Sequence, residues 1–213
     1  MDSLKVMTLN IAHGRGLSLY QGFHTLRGIH KNLLRISALL NQHKPDVVAL
    51  QEVDESSHWN KHIHLLDQIQ QRTGYPFAAV GVHNRRRGSK PLAYGNAILS
   101  RFPMGDPETI PFGRKTVGEK GFIFTRIQFA GSEIPLLNLH LDYRSRQIRL
   151  DQVDRIMAFI DATLGREGRD EHVLPPIVCG DFNAERQDDR DAVQTLFAYL
   201  QERARYQLAP LDA

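Results

Sequence analysis

The sequence of 213 residues has almost no cysteine, since Cys179 is the only one. A single thiol excludes an internal disulfide and a zinc site built from several cysteines, which favours a reducing compartment. No uncharged apolar run approaches the ~20 residues that a membrane-spanning helix needs. The run from Val6 to Ala12 is too short and too polar for a secretory signal. The sequence therefore predicts a soluble protein of the cytoplasm.

The sequence also lacks a strong net charge and the common nucleotide-binding motifs. It has 27 Lys and Arg against 24 Asp and Glu, a formal net charge of +3. This charge suits an anionic substrate but falls short of that of a protein that coats nucleic acid. There is no P-loop, dinucleotide fingerprint or Gly-x-Ser-x-Gly elbow. His58 and His62 have helical spacing for a metal, but no glutamate follows His58, so the zinc-protease pattern is absent.

What the sequence does contain is a series of short apolar strands between amphipathic helices. Apolar residues three and four apart predict helices at 28–43, 59–74, 150–164 and 193–200. Short apolar runs predict strands at 4–11, 46–50, 77–82, 97–100, 122–129, 134–140 and 177–179. A hairpin interrupts the alternation, so we expect mixed sheets layered with helices. The predicted fold class is α/β (α+β), in a single domain over residues 1–213.

Four of the predicted strands end in polar side chains, namely Asn10, Glu52, His140 and the pair Asp181 and Asn183. In layered sheets, sites gather where strand ends meet loops, because the scaffold there is rigid. Period-2 geometry would place Asp181 and Asn183 on the same side if the strand continued past Gly180. The four ends together predict one polar site.

The chemistry of these side chains points to a metal and a phosphate ester. Glu52 and Asp181 are hard oxygen ligands, and Asn10 adds a neutral oxygen, which favours Mg²⁺ or Mn²⁺ over Zn²⁺. His140 can donate to a phosphate oxygen or leaving group. Asp181 can orient a water, and Asn183 can donate to the developing charge. Each residue alone also has an ordinary structural role: Asn10 in a turn, Glu52 on the surface and His140 in the core.

A basic stretch lies between the third and fourth predicted strands. Residues 84–91 contain three consecutive arginines, Arg85 to Arg87, and Lys90 among glycine and serine. An exposed solvated loop and an element that steers phosphate explain this composition equally well. Arg86 is the candidate phosphate contact in this stretch.

Five motifs together resemble the endonuclease/exonuclease/phosphatase superfamily of deoxyribonuclease-like folds. They are Met-Thr-Leu-Asn-Ile at 7–11, Ala-Leu-Gln-Glu-Val at 49–53, Tyr-Gly-Asn-Ala-Ile-Leu-Ser-Arg-Phe-Pro at 94–103, Leu-Asn-Leu-His-Leu-Asp at 137–142 and Cys-Gly-Asp-Phe-Asn at 179–183. They occur in the family order and cover nearly the whole chain. One match would carry little weight, whereas five are specific to the superfamily but not to a substrate.

The resemblance implies a four-layer α/β/β/α sandwich, with two mixed sheets face to face and helices outside. It implies Mg²⁺-dependent (or Mn²⁺-dependent) in-line attack of water on a phosphate ester. Glu52 and Asn10 resemble the family's metal-site residues, and His140 resembles the histidine at the scissile phosphate. Asp181 and Asn183 resemble the pair that positions the nucleophile and stabilises the transition state. Asn96 lies in a matching stretch as a candidate phosphate contact, although a structural role is commoner there.

The sequence departs from the family pattern in one respect. The family closes with a strand carrying Ser-Asp-His, whose histidine is the usual general base, and this sequence has no Asp-His dipeptide. We therefore expect a C-terminally incomplete domain with low activity. The alternative function is an impaired relative that binds a phosphorylated ligand or a protein partner. Nucleic acid, a phospholipid headgroup and a small nucleotide all remain open as substrates, and the oligomeric state is open too.

Overall fold

The structure is a computed structural model that describes residues 3–16, 25–113, 119–164, 174–184 and 192–204. The chain divides into two compact units. The first contains Met1–His140 and Pro176–Asp181, and the second contains Leu141–Pro175 and Phe182–Ala213. The sequence prediction of a single domain stays a prediction.

The first unit contains two sheets of four strands each. The first sheet is formed by β1 (Val6–Asn10), β2 (Val47–Asp54), β3 (Phe77–Arg86) and β4 (Leu92–Ser100). The second sheet is formed by β5 (Glu108–Pro111), β6 (Gly121–Phe129), β7 (Ser132–His140) and β8 (Ile177–Asp181). The strand orders are β1-β2-β4-β3 and β5-β6-β7-β8. The pairs β1–β2 and β7–β8 are parallel and the others antiparallel, so both sheets are mixed.

Two α-helices belong to the first unit, α1 (Leu26–His43) and α2 (Leu65–Thr73). Helix α1 begins where the Thr25 hydroxyl accepts a hydrogen bond of 3.0 Å from the Gly28 amide. It ends at Lys44, whose backbone is left-handed, and a proline follows, which cannot continue a helix. No helix in the described ranges is long and apolar enough to cross a membrane.

In the first unit, apolar clusters cover both faces of the first sheet. On one face, Ile29 and Leu33 of α1 and Ile69 of α2 pack with Leu50 and Leu99. On the other face, residues of both sheets form a cluster of Val47, Ile98, Ile123, Ile127 and Leu136. Strand β2 is covered on both sides, which is why its sequence is a continuous apolar run rather than an alternating one. The predicted α/β sandwich is confirmed.

The second unit contains α3 (Arg146–Leu164) and α4 (Ala192–Ala204). Both helices were predicted from their apolar spacing. The Tyr199 hydroxyl on α4 donates a 2.6 Å hydrogen bond to Asp161 on α3. The ring of Phe182 lies 6.0 Å from that of Phe197. These contacts link the two helices and the segment after β8 within this unit.

Three details of the strands differ from the sequence prediction. Strand β3 extends to Arg86, so Arg85 and Arg86 lie on a strand and not in a loop. Strand β5 lies where the sequence predicted no strand, and its four residues pair with β6 despite a proline. Strand β8 ends at Asp181, and Asn183 has φ 49°. The period-2 argument for the shared side of these two residues therefore does not apply.

Two buried asparagines join the two sheets of the first unit. The Asn138 amide on β7 donates to the main-chain carbonyls of Leu50 and Ala97 in the first sheet, at 2.9 Å each. The Asn96 amide on β4 donates in the opposite direction, to the carbonyls of Gly121 (3.2 Å) and Asn138 (3.0 Å) in the second sheet. Both side chains are 0% exposed. The sheets are therefore fixed by directional hydrogen bonds as well as by apolar packing.

We expect Asn138→Ala to lower the free energy of unfolding by about 2–4 kcal/mol, because it leaves buried polar groups without their inter-sheet partners. The measurement is denaturant unfolding followed by circular dichroism. The matched control is Asn41→Ala, which removes one exposed hydrogen bond of 3.2 Å to the Arg72 carbonyl and should cost less than about 1 kcal/mol. Equal losses in the two variants would contradict the inter-sheet role.

Candidate active site

Asn10 and Asp181 meet where β1 and β8 end. The Asn10 Nδ2 donates a 2.7 Å hydrogen bond to Asp181 Oδ2. The Asn10 Oδ1 accepts from the Ala12 amide at 2.9 Å, which fixes the orientation of the side-chain amide. The end of β1 in the first sheet is thereby tied to the end of β8 in the second.

Glu52 is held by an unusual backbone in β2. Its φ is 56°, a left-handed conformation that is rare for a residue other than glycine. The register of β2 against β4 shifts by one residue here, because Gln51 and Glu52 together oppose the single residue Asn96. Beyond this β-bulge the strand continues to Asp54. Such a bulge re-aims a side chain, and strained backbones of this kind concentrate at functional sites. The prediction that β2 ends at Glu52 was therefore wrong, and the bulge explains how Glu52 is presented.

His140, at the end of β7, is the buried centre of the site and is 2% exposed. Its Nε2 lies 2.8 Å from the Lys120 ammonium, 3.5 Å from Asp181 Oδ2 and 3.9 Å from Glu52 Oε1. Burial, and then the positive charge of Lys120, lower the pKa of His140 to about 2. The imidazole is therefore neutral at pH 7, and its Nε2 accepts a hydrogen from the ammonium.

Lys120 is a site residue that the sequence argument missed. It is only 9% exposed, and its Nζ lies 3.7 Å from Glu52 Oε1 as well as beside His140. It belongs to none of the five motifs. Its one sequence signal is its position directly before Gly121, where β6 begins. A buried ammonium beside a carboxylate and an imidazole is a group that can stabilise negative charge.

His13 and Asp54 form a second buried pair that the sequence argument missed. The His13 Nδ1 donates to Asp54 Oδ2 at 2.9 Å, and the other imidazole nitrogen, Nε2, lies 3.6 Å from Glu52 Oε2. Asp54 also accepts from the Trp59 indole at 2.9 Å. The rings of Trp59 and Tyr94 each lie 4.9 Å from the imidazole. Gly14 and Gly16 are typical of a loop beside the strand end, but no feature of the sequence connects His13 with Asp54.

The remaining predicted site residues lie elsewhere. Asn96 is fully buried and its amide nitrogen is used between the sheets, so its observed role is structural. Arg86 is exposed at the end of β3. Asn183 belongs to the second unit, where its amide donates to the Leu141 carbonyl at 2.9 Å. Roles of Asn96 and Arg86 at a phosphate, and of Asn183 in catalysis, stay predictions.

The donor atoms at the site suit a hard divalent cation with few protein ligands. Around Glu52, three nitrogen atoms lie 3.6, 3.7 and 3.9 Å from its carboxylate oxygens, beyond hydrogen-bond distance. The described residues contain no group of three His, Cys, Asp or Glu side chains that could hold a metal. Mg²⁺ usually takes one or two carboxylates and retains several waters, so Glu52 with the Asn10 oxygen fits this ion.

Comparison with known families identifies the chain. The model of the endonuclease/exonuclease/phosphatase family matches residues 7–198. The chain belongs to this family. Membership in the endonuclease/exonuclease/phosphatase family supports a hydrolase of the phosphoesterase or nuclease type. No curated protein matches the chain.

Solved structures share the fold of this endonuclease/exonuclease/phosphatase family member. A family protein from Leptotrichia buccalis C-1013-b is 16% identical with a TM-score of 0.62, over 92% of this chain and 74% of that one. Sphingomyelinase C from Streptomyces griseocarneus is 20% identical with a TM-score of 0.63, over 95% and 70%. Humanized D. rerio TDP2, changed by 14 mutations, is 18% identical with a TM-score of 0.60, over 91% and 66%. At these identities the likeness shows the fold alone.

His83 gives the first unit a stability that depends on pH. The residue is 6% exposed. It is an extra residue in β3 with no opposite residue in β4, because Val82 pairs with Gly95 and Asn84 pairs with Tyr94. Burial, and then Lys120, lower the pKa of His83 to about 4. As the pH falls, the His83 imidazole is therefore protonated in the unfolded chain before it is protonated in the folded chain. This difference favours unfolding.

As the pH is lowered from 6.5 to 4, we expect the titration of His83 to reduce the free energy of unfolding by about 3 kcal/mol. His83→Gln should make this decline shallower, because glutamine does not titrate. Denaturant unfolding at several pH values measures it, with the exposed His43→Gln as the control. Parallel curves for wild type and His83→Gln would show that His83 is not the cause.

Proposed function

We propose that the chain hydrolyses phosphate esters with the help of Mg²⁺ or Mn²⁺, by in-line attack of a water molecule. One observation carries the proposal, namely that Asn10, Glu52, His140 and Asp181 come together at adjoining strand ends with Lys120 among them. Carboxylates, a neutral amide oxygen and a buried ammonium are suited to a cation and a phosphate group. A purely structural cluster would not need the strained backbone at Glu52.

In this proposal, Glu52 and the Asn10 oxygen hold the cation. A divalent cation bound there supplies positive charge to a phosphate oxygen and lowers the pKa of a water in its shell. The hydrogen bond from the Ala12 main-chain amide to Asn10 Oδ1 fixes the rotation of the Asn10 side chain, so that its oxygen keeps one orientation. An asparagine oxygen can accept this bond and still offer a second lone pair.

Lys120 and His140 act together on the phosphate. His140 is neutral and accepts a hydrogen bond from Lys120, so it positions the ammonium instead of donating a proton from Nε2. The Lys120 charge then stabilises the negative charge that develops on the phosphate oxygens. This changes the sequence-based hypothesis that His140 itself donates to the leaving group.

Asp181 orients the attacking water. Its carboxylate is fixed through Oδ2 by Asn10, and its side chain is 27% exposed, so water can reach it. A carboxylate in this position accepts a hydrogen from the water and aligns its lone pair with the phosphorus. On the family resemblance, Asn183 is proposed to donate to the transition state.

The substrate class and the cellular location stay open within this proposal. The matched Streptomyces griseocarneus protein is a sphingomyelinase C, which makes a phospholipid one candidate, and nucleic acid is the other. The chain spans 66% to 74% of the lengths of the three matched structures, so the activity of a whole protein is part of the proposal. The alternative remains a relative that binds a phosphorylated ligand without turnover. A cytoplasmic location stays a prediction.

The test is hydrolysis of an aryl phosphodiester and an aryl phosphomonoester with Mg²⁺, with Mn²⁺ and with chelator. We expect metal-dependent turnover that Glu52→Gln abolishes. Lys120→Met should lower kcat by about 100-fold, because it removes a donor to the developing charge. Lys90→Met, which changes an exposed lysine, is the control.

Turnover that persists in chelator, or that Glu52→Gln and Lys120→Met leave unchanged, would refute the proposed site. Binding of phosphorylated ligands without turnover would favour the alternative function. Unfolding curves of each variant show whether a loss of activity is merely a loss of fold.

A further inference from the structure

The buried pair of His13 and Asp54, which lies beside Glu52, has no role in the mechanism above. The His13 Nδ1 donates to Asp54, so in the neutral imidazole the opposite nitrogen, Nε2, carries a lone pair. That lone pair faces Glu52 Oε2 across 3.6 Å. In that neutral form, two acceptor atoms face each other at a distance too long for a hydrogen bond.

The chain is strained to hold His13 there. Ala12 and His13 have φ values of 47° and 54°, both left-handed. The imidazole is 4% exposed and lies against the rings of Trp59 and Tyr94. Both carboxylate oxygens of Asp54 accept hydrogen bonds, from His13 and from the Trp59 indole. The orientation of Nε2 toward Glu52 is therefore fixed from several sides.

We infer that His13 Nε2 and Glu52 Oε2 are paired ligands of the divalent cation of the proposed function, on which this inference rests. A cation between two facing lone pairs removes their repulsion. Metal-binding histidines commonly donate their other N–H to a carboxylate, which is the relation of His13 to Asp54. An imidazole ligand favours Mn²⁺ and similar first-row ions over Mg²⁺.

The experiment is pulsed EPR of Mn²⁺ bound to the full chain, together with competition between Mn²⁺ and Mg²⁺. We expect ¹⁴N coupling to Mn²⁺ that is lost in His13→Asn and retained in the exposed control His43→Asn. The preference for Mn²⁺ over Mg²⁺ should fall by about tenfold or more in His13→Asn. Asparagine tolerates the left-handed backbone, and His13→Gln is the second variant if His13→Asn does not fold.

The outcomes separate this inference from the proposed function. If wild type binds no Mn²⁺, or if Glu52→Gln binds it equally well, the proposed metal site itself fails. If Mn²⁺ binds through Glu52 without ¹⁴N coupling, or if the coupling persists in both His13 variants, only the ligand role of His13 is overturned.

A separate observation concerns the outer face of α1, which we call the cationic face and define as Leu26, Arg27, Lys31, Leu34 and Arg35. The three cations recur every four residues and are exposed. They make no hydrogen bond or ion pair with the described residues. The two leucines are 52% and 57% exposed, on a helix whose other side already fills the core.

The stretch of sequence that contains α1 carries an excess of positive charge. Residues 3–45 contain six Lys and Arg and no Asp or Glu, whereas residues 46–213 contain 21 Lys and Arg against 23 Asp and Glu. A groove of about 740 Å³ lies along the start of the helix, lined by Arg27, His30, Lys31 and Leu34 among others. Exposed leucines beside cations are the pattern of helices that lie on membrane surfaces.

We propose that the cationic face binds the surface of a bilayer that contains anionic phospholipid. The cations complement the negative headgroups, and Leu26 and Leu34 enter the boundary with the acyl chains. A nucleic acid would use the cations but would leave the leucines exposed, because phosphate contacts are polar. The leucines therefore favour the bilayer.

The experiment is sedimentation of the full chain with vesicles of phosphatidylcholine, with and without phosphatidylglycerol. We expect binding only to the anionic vesicles. Replacing Arg27, Lys31 and Arg35 together by glutamine should weaken it about 100-fold, and Leu34→Ser should weaken it severalfold. The control replaces Lys61, Arg87 and Lys90 by glutamine, an equal change in charge on exposed residues.

Equal binding to neutral vesicles, or equal losses in the two triple variants, would overturn the proposal. Duplex DNA that binds through the three cations while Leu34→Ser has no effect on any binding would assign the face to nucleic acid instead. Circular dichroism of the variants shows whether α1 is intact in each.

Discussion

The two buried asparagines that join the sheets also organise the site. Asn138 donates to the carbonyls of Leu50 and Ala97, the pair directly before the bulge in β2. Its own oxygen accepts from the side-chain amide of Gln51 at 2.7 Å. Asn96 is the single residue that opposes the bulge. The bulge, the spacing of the sheets and the direction of Glu52 therefore depend on one network. Such buried networks are costly when broken, because each freed group stays dehydrated.

At the site, positively and negatively charged side chains from different segments of the chain lie close together. The Lys120 ammonium stands between the Glu52 carboxylate and the neutral His140 imidazole, while Asp181 is fixed by Asn10. The low pKa values of His140 and His83 follow from burial near this ammonium. A neutral imidazole beside a cation keeps the positive charge on the lysine, where it faces Glu52. The electrostatics of the site thus arise from packing as much as from residue identity.

Apolar periodicity and strand ends are local signals, and they predicted mixed sheets layered with helices and four of the polar residues that the structure brings together. The face-to-face arrangement of the two sheets came from the family resemblance. Asn10, His140 and Asp181 lie at strand ends as expected. Glu52 was identified for the wrong local reason, since a bulge is set by pairing with a distant strand. Lys120 and the His13–Asp54 pair were missed because they become neighbours of Glu52 only through tertiary packing. No spacing rule in one sequence connects residues so far apart.

The bulge in β2 also limits how this segment can change in evolution. Deleting either Gln51 or Glu52 would leave one residue of β2 opposite Asn96, so Val53 would still pair with Gly95 but the left-handed position that presents Glu52 would be lost. Val53 and Asp54 would keep their faces, whereas the residue left opposite Asn96 would follow the ordinary alternation of the strand. We expect homologues to vary freely in the length of surface turns such as Ala130–Gly131, but to keep the same number of residues between Leu50 and Asp54.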